Sequence, residues 1–112
     1  MSVREVVLTS VFPSGKGGLL ELPCPVSGHV VAVTRHWPNG CNGLVDIAIG
    51  HTSVWMMPFL VDTFLAINDA TIVVNGLKEP VYKGEMLWMR ARNRDGVNPH
   101  TLTATFVVEG DL

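Results

Sequence analysis

The chain has 112 residues, of which 47% are hydrophobic and 16% are charged, and its formal net charge at pH 7 is −2. High apolar content with few charges is the reverse of the composition of disordered proteins, so we expect a folded chain. The weakly acidic balance also excludes a strongly basic nucleic-acid binder, although it leaves room for a local basic patch. The length suits one domain, and we expect a single domain over residues 1–112.

Short runs rich in Val, Ile, Thr and Leu lie between turn formers, since 11 glycines and seven prolines are spread along the chain. Several runs alternate with period two, which is typical of half-buried strands, and many such runs indicate a sandwich or barrel. The stretch 59–67 is the best helical alternative, but it is short and carries β-branched residues. The predicted strands are 3–11, 18–22, 29–35, 44–49, 63–67, 71–74, 85–93 and 101–108.

The start of the chain and its two cysteines bear on the compartment. Met1 to Glu5 shows no basic segment followed by an apolar one, so we expect no signal peptide and a protein made in a cytoplasm. No apolar run approaches the roughly 20 residues that span a bilayer, so no membrane association is expected. Cys24 and Cys41 are too few for a disulfide framework. A disulfide between them is one alternative, and two separate buried thiols are the one we favour.

The middle of the chain, residues 51–61, is strongly apolar and shows no clean alternation. Such a stretch is either part of the core or an exposed surface that binds a partner. Aromatic and methionine side chains are enriched at the centres of interfaces, which supports the second interpretation. The candidate interface residues here are Trp55, Met56, Met57 and Phe59.

The last third shows the clearest alternation. In 85–93, Leu87, Met89 and Ala91 share one face, and in 101–108 the apolar residues likewise share a face. Asp95-Gly96 between the two runs is a common turn pair. We therefore predict an antiparallel hairpin that is central to one sheet.

The opposite face of 85–93 carries a basic stripe with an aromatic residue. Three interpretations stay open for this stripe: a solvated face neutralised by nearby Glu85, Asp95 and Glu109, an arginine-lined protein interface, or a surface that stacks single-stranded nucleic acid. The negative net charge counts against nucleic acid. The stripe consists of Trp88, Arg90, Arg92 and Arg94.

No motif for catalysis, cofactor binding or metal binding is present. The four histidines form neither HxH nor HExxH, and GxSxG, P-loop and GxGxxG patterns are absent. Cys41, His51 and Met56 loosely resemble a blue-copper trio, but those ligands crowd one loop near the C-terminus. We assign no catalytic, cofactor or metal residue, and we expect each histidine to bond a turn carbonyl at a strand end.

The chain resembles small jelly-roll or β-sandwich virion proteins, particularly the decoration (cement) proteins on capsids of tailed bacterial viruses. The stretches that carry this resemblance are GHVVAVT (28–34), PVYKGEMLW (80–88), RARN (90–93) and PHTLT (99–103). The resemblance implies a protein on the capsid exterior that forms trimers, clamps subunits of the major capsid protein and has no catalytic residues.

We therefore expect an all-β chain folded as an antiparallel, jelly-roll-like β-sandwich of about eight strands. The expected function is to decorate or stabilise a viral capsid through self-association and binding to capsid subunits, with Trp55, Met56, Met57, Phe59, Trp88, Arg90 and Arg92 at the interface. The alternative is a small carbohydrate-binding or receptor-binding module. In that case Trp37 or Trp88 would be the stacking platform, with nearby Asn and Asp as hydrogen-bond partners.

Overall fold

A computed structural model describes residues 2–58 and 64–111. These residues form ten strands, and no helix long and apolar enough to cross a membrane occurs among them. The strands are β1 (Ser2–Phe12), β2 (Gly17–Pro23), β3 (Ser27–Trp37), β4 (Val45–His51), β5 (Val54–Met57), β6 (Leu65–Ala66), β7 (Ala70–Val74), β8 (Glu79–Val81), β9 (Met86–Asn93) and β10 (His100–Asp111).

The strands build two five-stranded antiparallel sheets. Sheet A has the order β1-β10-β3-β7, with β8 also paired to β3, and sheet B has the order β2-β9-β4-β5, with β6 also paired to β4. β5 and β6 both pair with β4, and β7 and β8 both pair with β3. If each of these two pairs is counted as one strand, the sandwich has eight strands. Their order in the two sheets is then that of a jelly roll, in which the chain crosses between sheets at nearly every connection. The predicted antiparallel sandwich is confirmed.

The core lies between the sheets and is formed by alternate residues of the long strands. The side chains predicted to face inward from the last two strands are all buried, including Leu87, Met89 and Phe106, which are fully covered. Trp37 is also fully buried, and its indole N–H donates to the Val45 carbonyl oxygen at 2.9 Å. Cys24 and Cys41 are separate buried thiols, as favoured from the sequence.

The predicted C-terminal hairpin is wrong. β9 pairs with β2 and β4 in sheet B, whereas β10 pairs with β1 and β3 in sheet A. Each strand is central, but in a different sheet. The connection therefore passes from one sheet to the other. Each of the two strands buries one apolar face, and these two faces meet in the core because the sheets face each other.

Asp95, rather than a tight Asp-Gly turn, organises this crossing connection. Its carboxylate accepts hydrogen bonds from the backbone N–H groups of Val97 and Asn98 at 2.9 and 3.2 Å, and its Oδ2 lies 3.0 Å from His100 Nε2. These bonds, the one to His100 first, lower the pKa of Asp95 to about 2. The carboxylate therefore provides hydrogen-bond acceptors for backbone N–H groups of the connection, which have no neighbouring strand to pair with.

Asn93 joins the crossing connection to the end of β1. Its side-chain N–H₂ group donates to the carbonyl oxygens of Phe12, Pro13 and Asn98 at 2.9, 3.2 and 3.0 Å. Its side-chain oxygen accepts from the Asp95 N–H at 3.0 Å. Since Asn93 is only 2% exposed, water cannot easily replace these bonds.

We expect Asn93→Ala to lower the free energy of unfolding by about 2 kcal/mol or more, because it leaves buried carbonyl and N–H groups unpaired. Urea unfolding followed by circular dichroism measures this change. The control is Asn75→Ala at the exposed end of β7, which we expect to change stability by less than about 0.5 kcal/mol. Equal effects of the two substitutions would contradict this role for Asn93.

Candidate interaction face

The outer face of sheet B carries the aromatic residues and arginines singled out from the sequence. Alternation along β9 directs Trp88, Arg90 and Arg92 away from the core. Strand β5 adds Trp55, which lies opposite Gly50 of β4, and Gly50 in turn lies opposite Trp88. We call Trp55, Phe64, Trp88, Arg90 and Arg92 the aromatic–arginine face.

Three aromatic rings pack edge to face on this surface. The centroid of the Trp55 ring lies 4.9 Å from that of Trp88 and 5.6 Å from that of Phe64, with interplanar angles of 73° and 89°. The Trp88 indole N–H also donates to the Thr52 carbonyl oxygen at 2.9 Å, in the turn between β4 and β5. Edge-to-face packing of this kind stabilises beyond area burial alone. Trp88 is consequently only 3% exposed, although it faces away from the main core.

Gly50 makes this packing possible. A Cβ atom at Gly50 would collide with the indole ring of Trp88 and with the carbonyl oxygen of Val54. The absence of a side chain lets the indole lie directly on the β4 backbone. Sheet B thus has apolar cover on both sides at this point.

The arginine guanidinium groups stack on the aromatic rings. The guanidinium carbon of Arg90 lies 5.9 Å from the Trp55 ring centroid and 5.4 Å from that of Trp88. That of Arg92 lies 3.7 Å from the Phe64 centroid. Such cation–π contacts favour positions of the charged groups over the ring faces, and both arginines remain exposed to solvent.

Asp46 is the carboxylate that binds the basic stripe. Its Oδ2 lies 3.1 Å from Arg92 Nε and 2.9 Å from Arg94 Nε, and its Oδ1 accepts from Arg94 Nη2 at 3.1 Å. The acids expected to neutralise the stripe lie elsewhere: Glu85 binds His51, and Asp95 binds His100. The pairing of β4 with β9 explains why Asp46 binds these arginines, because it places Asp46 directly opposite Arg92.

A shallow groove of about 400 Å³ runs along this face between β2 and the aromatic cluster. Its walls combine two arginines with an aromatic ring and a stretch of β2 that has almost no side chains. The lining residues are Gly17, Gly18, Leu19, Phe64, Arg90, Ala91 and Arg92. Chemically, the groove suits an acidic and partly apolar segment.

The apolar middle segment divides between core and surface. Met56 and Met57 are half-buried and pack against the core, whereas Trp55 joins the aromatic–arginine face. Phe59 lies outside the described residues. Phe64 and Gly50 were not singled out from the sequence, since their importance depends on which strands neighbour β4.

Neither tryptophan proposed as a carbohydrate platform has a free ring face. Trp37 is fully buried in the core, and Trp88 is covered by Trp55 and Arg90. Stacking of a sugar needs an open aromatic face. The assignment of Trp37 and Trp88 to that role is therefore wrong.

His51 links the two sheets at the end of β4. Its ring Nε2 lies 2.8 Å from Glu79 Oε1 on β8, and its Nδ1 lies 2.9 Å from Glu85 Oε1. Both ring nitrogens can donate only when the ring is protonated. Burial acts to lower the pKa of His51, but the hydrogen bonds and negative charges of Glu79 and Glu85 outweigh it, and the pKa is raised above 6.5.

The expectation that histidines bond turn carbonyls is wrong for His51, His100 and His36, because their ring nitrogens contact carboxylates or, for His36, the Thr71 hydroxyl. Within the described ranges, no group of three or more His, Cys, Asp or Glu residues could hold a metal ion. Cys41 lies in the core and His51 is bound by carboxylates on both sides, so the loose copper pattern does not form a site.

We expect Gly50→Ala to lower the free energy of unfolding by about 2 kcal/mol or more, because the added methyl group displaces the Trp88 indole. The near-ultraviolet circular dichroism of the tryptophans should weaken as well. Gly96→Ala is the matched control, since a Cβ there meets no atom within 4 Å. A Gly50→Ala protein as stable as Gly96→Ala would contradict the packing described.

We expect the His51 contribution to stability to decrease with rising pH. The folded-state pKa lies above the unfolded value, so the contribution is complete below about pH 6.5 and is lost as the pH passes through the folded-state pKa. Urea unfolding of wild type and His51→Gln between about pH 6 and about pH 9 measures the difference. Parallel pH profiles for wild type and His51→Gln would refute this role.

No protein-family model matches the chain, and no curated protein matches it in sequence. Among solved structures it is similar to the crystal structure of FlhE, with a TM-score of 0.53 and 11% sequence identity over 96% of each chain. At this identity the likeness shows the fold alone: the chain is an all-β antiparallel sandwich.

Proposed function

We propose that the protein is a non-catalytic structural protein that associates with copies of itself and binds the subunits of a protein lattice through the aromatic–arginine face. The observation that carries the proposal is the pair of arginines whose guanidinium groups lie over an aromatic cluster beside an open groove. Trp and Arg are the residues most enriched at the energetic centres of protein interfaces. A sheet with apolar packing on both sides presents them in a rigid arrangement, which limits the entropy lost on binding.

Charge supports a protein partner with acidic groups. Among the described residues of the aromatic–arginine face and the charged residues that adjoin it, Arg90, Arg92 and Arg94 stand against Asp46 and, by register with Trp88, Glu21, an excess of one positive charge. The face thus carries an excess of positive charge although the whole chain is at −2. Complementary charge of this kind favours encounter with the correct partner.

Nucleic acid is a less suitable partner. Binding of single strands relies on open aromatic faces on which bases stack. Here the rings pack against one another and are capped by Arg90 and Arg92. The proposal therefore includes no nucleic-acid partner.

The lattice that we propose is a viral capsid, with the major capsid protein as the direct contact and the virion exterior as the location. The support for this part is the sequence resemblance to decoration proteins, together with a fold of the kind that the resemblance implies. That resemblance implies three copies in the assembly, whereas the β1 edge described below indicates two, and the mass in solution distinguishes them. The likeness to FlhE concerns the fold and does not bear on the partner.

We expect Arg90→Glu to weaken lattice binding at least tenfold, because it reverses the charge at the centre of the face and removes the guanidinium from two rings. The measurement is co-sedimentation of the purified protein with shells assembled from the major capsid protein of the same genome. The control is Lys78→Glu, which makes the same charge change at an exposed position between β7 and β8.

Two results would contradict the proposal. The first is a lack of co-sedimentation by the wild-type protein, and the second is binding by Arg90→Glu as strong as that of Lys78→Glu. Thermal unfolding of both variants establishes that the loss is one of binding and not of folding.

A further inference from the structure

The two sides of the sandwich differ in how their edge strands are built. On one side the strands are short or interrupted: β5 has four residues and a register shift in its pairing with β4, β6 has two, β7 has five, and β8 has three with Pro80 among them. Such features are typical of edges that are protected from pairing with other chains. On the other side lie β1 with 11 residues and β2 with seven.

Strand β1 is long and regular, and its charged residues, Arg4 and Glu5, lie near its N-terminal end. It pairs with β10 in unbroken register from Ser2 to Phe12, without a bulge, and contains no proline. In the described part of the chain β1 pairs with β10 alone, so its other side presents unpaired backbone groups. A long and regular free edge is a template for another strand.

Five of the exposed side chains around this edge are large and apolar. Val3, Val7 and Val11 on β1 are 62%, 46% and 57% exposed, and Leu19 and Leu22 on β2 are 41% and 42% exposed. A groove of about 200 Å³ separates the two strands and is lined by Val7, Leu8, Thr9, Leu20, Glu21 and Leu22. This side of the sandwich thus combines a free strand edge with apolar surface.

We infer that β1 pairs antiparallel with β1 of a second copy about a two-fold axis at Val7, which joins the A sheets of two protomers into one continuous sheet. In this register apolar residues lie opposite apolar ones and polar residues opposite polar ones, except at the two ends. It places the following residues opposite one another across the two copies: Ser2 and Phe12, Val3 and Val11, Arg4 and Ser10, Glu5 and Thr9, Val6 and Leu8, and Val7 and Val7.

Other registers are less suitable. The pleat requires that residues facing the same side meet, which excludes every shift by an odd number of residues. Moving the axis by one residue shifts the register by two. An axis on Val6 or Leu8 pairs only nine residues and places Glu5 opposite a valine. An axis on Glu5 places two carboxylates opposite each other, and one on Arg4 does the same with two guanidinium groups. Like charges directly opposite are destabilising. Centring on Val7 avoids both and pairs all 11 residues of the strand.

The length of β1 suits a stable pair. At about 3.3 Å per residue β1 extends over about 36 Å, and pairing along this length engages all 11 residues of each copy. Such a two-fold contact is also the commonest form of self-association.

The first experiment changes the residue on the axis. Val7→Lys places two lysines opposite each other, and we expect its dimer to dissociate at least tenfold more readily than that of wild type. The matched control is Val73→Lys, an exposed valine of sheet A on the opposite edge. Sedimentation equilibrium between about 1 and about 100 µM measures the mass.

Wild type and Val73→Lys should show twice the single-chain mass of 12.2 kDa, and Val7→Lys should show the single-chain mass over most of this range. A monomeric or trimeric wild type overturns the inference, and so does a Val7→Lys protein that remains as dimeric as Val73→Lys. Circular dichroism and thermal unfolding identify a variant that has failed to fold.

A second pair of variants tests the register and does not depend on Val7. Thr9→Lys would place a lysine opposite Glu5 of the second copy, whereas Thr9→Glu would place a carboxylate there. Both lose the same hydrogen bond to the Thr103 hydroxyl within the protomer. We expect the dissociation constant of the Thr9→Lys dimer to be about tenfold lower than that of Thr9→Glu, and an equal or reversed order overturns the pairing.

The inference rests on the proposed function only in the claim of self-association, and it concerns a surface separate from the aromatic–arginine face. Arg90→Glu should therefore keep the dimer mass while losing lattice binding. A dimer that binds no lattice overturns the proposed lattice partner and supports the β1 pairing. A monomer that binds the lattice overturns the β1 pairing alone.

Discussion

The alternation of side chains along β9 is the constraint on which the structure depends. A strand in the middle of a sheet presents two faces, and here both faces carry side chains that pack. Leu87, Met89 and Ala91 enter the core between the sheets, while Trp88 lies under Trp55 on the outside. Arg90 completes the outer layer by stacking on both indoles. The same strand thus supports the fold with one set of residues and the candidate interaction face with the other.

Polar residues stabilise the points where the chain crosses between the sheets. A jelly roll has many such crossings, and each leaves backbone groups without strand partners. Asn93 and Asp95 satisfy those groups between β9 and β10, and His51 joins the end of β4 to Glu79 of the opposite sheet. The contacts of Asp95 and His51 involve titratable groups, so their strength depends on protonation, whereas that of the apolar core does not.

The two proposed contact surfaces bind their partners through different interactions. On the aromatic–arginine face the rings are covered by one another and by the arginines, so the face presents positive charge and a shallow groove to a partner. The β1 edge offers unpaired backbone and a row of exposed valines. A side-chain surface of the first kind selects a partner by complementary charge. An edge of the second kind selects a partner by strand register, which a second copy of β1 satisfies without like charges opposite each other.

The sequence by itself determined the local structure, because period-two alternation is a property of neighbouring residues. Every predicted strand overlaps an observed one, and the inward residues of β9 and β10 were identified correctly. β5 and β8 were missed, since a run of four apolar residues and a strand containing Pro80 lack that alternation.

Only the tertiary structure decided which strands are neighbours, because pairing depends on residues far apart in the chain. Asp95-Gly96 is compatible with a hairpin, yet β9 and β10 belong to different sheets. The same reason explains why Trp37 was misplaced on the surface, and why Gly50 and Asp46 became recognisable only once β4 lay beside β9. Burial and ion pairing across strands follow from long-range register, and no local pattern encodes that register.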